Sequence, residues 1–261
     1  MKYKKTFLLV LMLSSMLLLY SCSETTSTND VKNYFPNVVG NYWVYESFEL
    51  DSLGNKNLAT RSIDSTIITG TQNLFGKNSS IYTTYIDGGN SSDKNYYTEN
   101  GKLYSTIANV MPPQMPIPID YTDAWVIIAD PDSTNWSIFS QTLTNVDMPL
   151  PGGGGTGKLN GDFTIKVEKG LKQTINTGEG QTISVMAQEY KILYSFNGTI
   201  TVGGFPIPLQ LIFTVTNHKW YGENIGLVLD RVDPTTIQVS VLYTYSIKGS
   251  ESDMLRYHVS Q

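Results

Sequence analysis

The chain predicts an all-β fold: a large curved antiparallel sheet or partly open β-barrel, with a β-sandwich as the alternative and few or no helices in the mature domain. Three observations point there. Seventeen tyrosines stand among many Thr, Ile and Val, residues that suit a pleated, half-buried surface. Apolar residues alternate with period two through most of the chain after residue 40, where no stretch shows the helical period. Short Gly, Asn and Asp clusters punctuate these segments.

The elements follow in order. In NYWVYESFEL (41–50), Tyr42, Val44, Phe48 and Leu50 share one face. Segments 60–70 and 79–87 alternate similarly, and 94–107 holds Asn100-Gly101 between two aromatic runs. Asn-Gly supplies the positive φ angles of a type I′ turn, so a hairpin is expected there. Further strands are expected at 123–130, 135–146, 162–175, 181–202, 208–221, 226–233, 236–249 and 253–259. No break in composition separates a second domain, so residues 34–261 read as one unit.

The first residues have another purpose. Lys2, Lys4 and Lys5 precede an apolar run of 15 residues, Thr6 to Tyr20. As a helix it would reach about 22 Å, short of a hydrocarbon core of about 30 Å. Residues 1–21 therefore read as a signal peptide. Cys22, the only cysteine, follows directly, with Leu19 at −3 and Ser21 at −1. The arrangement resembles the lipobox of bacterial lipoproteins, whose thiol takes a diacylglyceryl group. Residues 22–33 then read as a polar tether. The mature domain would contain no disulfide and no thiol nucleophile.

Removing residues 1–21 takes away three lysines and no acid, leaving 15 basic against 23 acidic residues and a net charge near −8. That balance argues against nucleic acid as a partner. Gly152 to Lys158, GGGGTGK, matches a phosphate-loop pattern, but Leu159 replaces the Mg²⁺-binding hydroxyl and an alternating segment follows instead of a helix. It reads as a loop between strands. His218 and His258 are the only histidines; with Cys22 consumed, no metal site and no cofactor is expected. Asp120, Asp123, Asp130 and Asp132 lack calcium-loop spacing and read as solvated carboxylates. No G-x-S-x-G occurs, whereas a carboxylate pair for glycoside hydrolysis leaves no sequence signature.

Three apolar proline segments recur between strands: MPIP (115–118), MPLP (148–151) and FPIP (205–208). Either they fold over an open end of the sheet and are buried, or they form an exposed rim for a ligand, protein partner or lipid. The contact candidates are Ile117, Leu150 and Ile207, with Trp125 and Trp136 as aromatic platforms for a sugar or a hydrophobic ligand.

YFPNVVGNYWVYESF (34–48) and KWYGENIGLVLDRV (219–232) resemble the opening and late signatures of a Bacteroidota-type outer-membrane or surface lipoprotein family. The resemblance implies a curved antiparallel half-barrel anchored to the outer membrane, related in shape to periplasmic lipoprotein carriers. The combined expectation is a non-catalytic envelope lipoprotein acting as a binding or structural module. A carbohydrate-active hydrolase and a carrier of lipid or another hydrophobic ligand are the alternatives.

Overall fold

The computed structural model describes residues 33–111, 117–150, 155–180, 182–203, 208–239 and 244–260. The signal segment, Cys22 and Ile207 lie outside the described residues. The first meander is β1 (Tyr42–Leu50), β2 (Ser62–Leu74), β3 (Lys77–Ile86), β4 (Ser91–Glu99) and β5 (Lys102–Thr106). One helical turn, α1 (Ile107–Val110), then precedes β6 (Trp125–Ala129). The second meander is β7 (Asn135–Pro149), β8 (Thr156–Thr177), β9 (Ile183–Val202), β10 (Leu209–Gly222) and β11 (Gly226–Val232). A small hairpin, β12 (Thr235–Gln238) and β13 (Thr244–Ile247), leads to β14 (Gly249–His258).

Twelve strands form one antiparallel sheet in the order β6-β5-β4-β3-β2-β1-β14-β11-β10-β9-β8-β7. This is the expected all-β curved sheet, nearly closed into a barrel, and the two-sheet sandwich is set aside. The Asn100-Gly101 turn forms as expected, with φ of 53° and 74°. Residues 236–249 differ from expectation: they divide into β12 and β13, which pair with each other. Ile237 and Ile247 both enter the core, so a hairpin with two buried arms carries the alternation of one long strand. The glycine-rich segment also differs in part, because Thr156–Lys158 already belong to β8. Lys158 reaches back to Asp147 across the ladder at 2.6 Å, so strand rather than helix follows the glycines.

The two edge strands, β6 and β7, are consecutive in the chain. The Trp136 indole N–H donates to the Ile127 carbonyl at 2.7 Å and spans this seam. Asp130, buried rather than solvated, organises the link between the edges. It accepts from the Asp132 N–H at 2.9 Å and the Ser133 hydroxyl at 2.7 Å, and pairs with Lys102 at 2.9 Å. Burial pushes its carboxyl up, but the bonds from Lys102, Ser133 and Asp132 outweigh burial and hold it below the usual carboxylate range.

The main core fills the interior from Phe163, Ile165 and Val167 of β8, Ile192, Phe196 and Ile200 of β9, and Leu211 and Val215 of β10. Gly161 and Gly198 face each other across β8 and β9. A Cβ on Gly198 would stand 2.2 Å from the Asn160 carbonyl oxygen and 2.9 Å from the Phe196 ring. The absent side chains let the two backbones and that ring close up. The outer surface carries a polar chain across β9, β10, β11 and β14: His218 hydrogen-bonds to Glu189 and Asp233, Arg231 pairs with Asp233 and Glu251, and Lys56 pairs with Glu251. A transmembrane barrel reverses this pattern, with apolar residues outside. Among the described residues no helix is long and apolar enough to cross a membrane.

Candidate functional site

The alternation of β1 sends Trp43, Tyr45 and Ser47 into the sheet's concave side, the opposite parity to Tyr42 and Val44. Antiparallel partners on either side contribute by the same rule. Asp64 and Thr66 come from β2, Tyr82 and Thr84 from β3, Lys94 and Tyr96 from β4, and Ser252 from β14. Lys219 and Tyr221 of β10 and Asp230 of β11 complete the wall. Together they enclose a cavity of about 250 Å³.

A strap formed by Asn33 to Asn37 roofs this cavity. The Asn33 side chain accepts from the Phe35 N–H at 3.1 Å, and the Asn33 carbonyl accepts from Asn224 at 2.6 Å. Tyr82 donates to the Pro36 carbonyl at 3.2 Å and Ser80 to the Asn37 carbonyl at 3.1 Å. Phe35 meets Tyr221 edge-on, with ring centres 5.0 Å apart. Pro36 fixes the strap in an extended course and has no N–H that would need a partner.

Below the roof the aromatic groups are held by their polar ends. Trp43 donates to the Ile225 carbonyl at 2.6 Å, and Tyr45 donates to the Leu227 carbonyl at 2.9 Å. Trp43 lies parallel to Tyr82 at 5.9 Å, and Tyr82 meets Tyr96 edge-on at 4.9 Å. Gly226 passes under Trp43 with a φ of 98°; a Cβ there would stand 3.2 Å from the indole. Both the left-handed backbone and the close approach require glycine. Burial pushes the phenols of Tyr45, Tyr82, Tyr96 and Tyr221 up. They therefore stand as neutral hydroxyls at ordinary pH.

A polar row crosses the floor. Lys219 Nζ pairs with Asp230 Oδ2 at 2.5 Å. Ser252 sits opposite Asp230 in the ladder and touches the Ser47 hydroxyl at 2.8 Å. Ser47 donates to Asp64 at 2.6 Å, and Ser62 donates to the same carboxylate at 3.2 Å. A second cavity of about 220 Å³ shares Lys94, Tyr96, Lys219 and Asp230 with the first. These four form a charged waist in one chamber. Asn217, Tyr194 and α1 lie beyond it, with Tyr194 donating to the Val110 carbonyl at 2.8 Å.

The residues singled out from sequence stand elsewhere. Ile117 and Leu150 are buried in the main core, 4% and 5% exposed, but MPLP is not wholly a connection, since Met148 and Pro149 end β7 and pair with Gly157 and Thr156 of β8. Trp125 packs on the outer side between Phe75 and Tyr97 and donates to the Leu74 carbonyl at 3.0 Å. Trp136 closes the seam. Neither tryptophan lines the chamber. Among the described residues no three metal-ligating side chains gather. The chamber groups Lys94, Lys219, Asp230, Asp64 and Tyr82 carry no recognisable spacing. One signal does reach them: 34–48 and 219–232, the two segments bearing the lipoprotein resemblance, supply Phe35, Trp43, Tyr45, Lys219, Tyr221 and Asp230 to one wall.

Two solved structures resemble this chain. A proposed lipoprotein from Parabacteroides distasonis aligns over 88% of this chain and 100% of its own, with 16% identity and a TM-score of 0.45. A proposed exported protein with a YmcC-like fold from Bacteroides fragilis aligns over 87% of this chain and 99% of its own, with 13% identity and a TM-score of 0.38. No family model and no curated protein sequence matches the chain.

Proposed function

We propose that this chain is an exported lipoprotein of the cell envelope, anchored to the outer membrane through Cys22, that binds a small ligand in its chamber without catalysing a reaction. The observation that carries the reading is the chamber itself. Six aromatic side chains, a set of hydroxyls and a charged waist converge on a concave space, the composition of a ligand site rather than of a closed core. The anchor rests on the layout of residues 1–22. A Cys22→Ser chain should lose metabolic fatty-acid labelling, and retained label would refute the anchor. Filling both cavities with Thr84→Trp and Asn109→Trp should abolish ligand-induced thermal stabilisation across a panel of small polar compounds. Stabilisation that survives the filling would place binding elsewhere.

One observation favours a hydrolase as the second reading: Asp64 and Asp230 line the same cavity as Trp43, and paired carboxylates beside an aromatic platform are the equipment for glycoside cleavage. Asp230 is engaged by Lys219 and Asp64 by two serines, so both carboxylates are held by the floor. Turnover of an aryl glycoside that disappears in both Asp64→Asn and Asp230→Asn would favour this reading. The waist speaks against carriage of an acyl chain, which would have to desolvate a charged pair.

A further inference from the structure

The waist is asymmetric in its charge. Lys219 is neutralised by Asp230, whereas Lys94, which lines both cavities and reaches solvent, has no carboxylate partner among the described residues. On the far wall, Asp230 Oδ1 and Asn217 Oδ1 are buried acceptors with no hydrogen-bond donor among the described residues. Both line the deeper cavity with Lys94 and Tyr96. Buried polar atoms in native proteins nearly always find a partner. A complementary ligand carries an anionic group on one side and hydrogen-bond donors on the other. Its remaining face must suit the rings of Tyr96, Tyr82 and Trp43.

We propose that the chamber takes a small hydroxylated carboxylate, an acidic monosaccharide in size and chemistry. Its carboxylate sits on Lys94 Nζ, its hydroxyls donate to Asp230 Oδ1 and Asn217 Oδ1, and its C–H face lies against Tyr96. A neutral sugar forgoes the attraction of Lys94, and a simple anion leaves the two acceptors bare. This inference rests on the proposed binding role of the chamber and specifies its occupant.

The test is calorimetric titration of the full mature chain with galacturonate, glucuronate, galactose and acetate. The expected result is binding of at least one uronate about tenfold or more tighter than galactose or acetate. Lys94→Met should erase the preference over galactose, and Lys94→Gln should do the same if the methionine variant folds poorly. Asn217→Leu should weaken uronate and galactose alike. Equal binding of uronate and galactose overturns the inference. So does acetate binding as tightly as uronate, a preference that survives both Lys94 variants, or no binding of either uronate at millimolar concentration. Thr84→Trp combined with Asn109→Trp, one filling each cavity, separates the two levels. Uronate binding that survives it refutes the chamber as the site, whereas binding lost on filling but indifferent to Lys94 refutes only the acidic occupant.

Discussion

Replacing Trp43 by Phe tests how the roofed end of the chamber is held. Trp43 is 3% exposed, donates to Ile225 at 2.6 Å, stacks on Tyr82 and covers Gly226. Phenylalanine keeps a ring but removes the donor and the second ring. Leaving the partly buried Ile225 carbonyl without the indole costs about 1–3 kcal/mol. The smaller ring gives up roughly 40 Å² of apolar burial, about 1 kcal/mol at ~25 cal/mol per Å². The expected loss is therefore about 2–4 kcal/mol, a fall in melting temperature of roughly 4–16 °C for a domain of this size. Urea unfolding followed by far-ultraviolet circular dichroism gives the midpoint and slope separately. A loss below about 1 kcal/mol with an unchanged slope would show that the indole bond does not hold this end closed.

Four further outcomes are expected. Asp130→Ala should destabilise the fold by about 2–4 kcal/mol, because it leaves the Asp132 N–H, Ser133 and Lys102 without their shared acceptor; Asp130→Asn should lose less, and equal losses would contradict the turn-organising role. Leu150→Ala and Ile117→Ala should each cost about 2–4 kcal/mol in thermal or urea unfolding, since both side chains are core, and near-neutral changes would return them to an exposed rim. Gly198→Ala should unfold the chain or shift its melting point sharply, since the new Cβ meets the Asn160 carbonyl; a wild-type melting curve would refute that close approach. Stability should fall as pH rises above 10.0, the ordinary tyrosine value, because Tyr45, Tyr82, Tyr96, Tyr190, Tyr194 and Tyr221 are raised by burial and ionise there only in the unfolded chain. Each such tyrosine removes about 1.4 kcal/mol per pH unit across that window; reversible titration of every phenol near pH 10.0 with the dichroism spectrum intact would refute their burial.

The strand pattern was legible because most strands bury one face only. Period two then survives in the sequence, as in Phe163, Ile165 and Val167. It misled at 236–249, where two buried arms imitate one strand. Asp130 looked solvated because nothing local announces that Lys102, from a neighbouring strand, will meet it. The chamber was hidden for a related reason. Its charged groups arrive singly from β2, β4, β10 and β11, so no spacing links them, and only register brings Asp230 beside Lys219. The position of Trp43 on the concave side is decided by which parity of β1 turns inward.

The order of strands assigns an unusual duty to the last one. β14 lies between β1 and β11 and pairs with both. Until it arrives, each meander ends in a bare strand edge, with Tyr42–Leu50 on one and Gly226–Val232 on the other. A chain entering the cell envelope from its first residue onward would hold both edges open until residues 249–258 follow. Such edges recruit other strands, and pairing across so long a sequence separation is slow. β14 therefore acts as a keystone. A chain stopped before Gly249 should pass from monomer to aggregate on release from denaturant, and a synthetic peptide of residues 249–258 supplied in trans should suppress that passage.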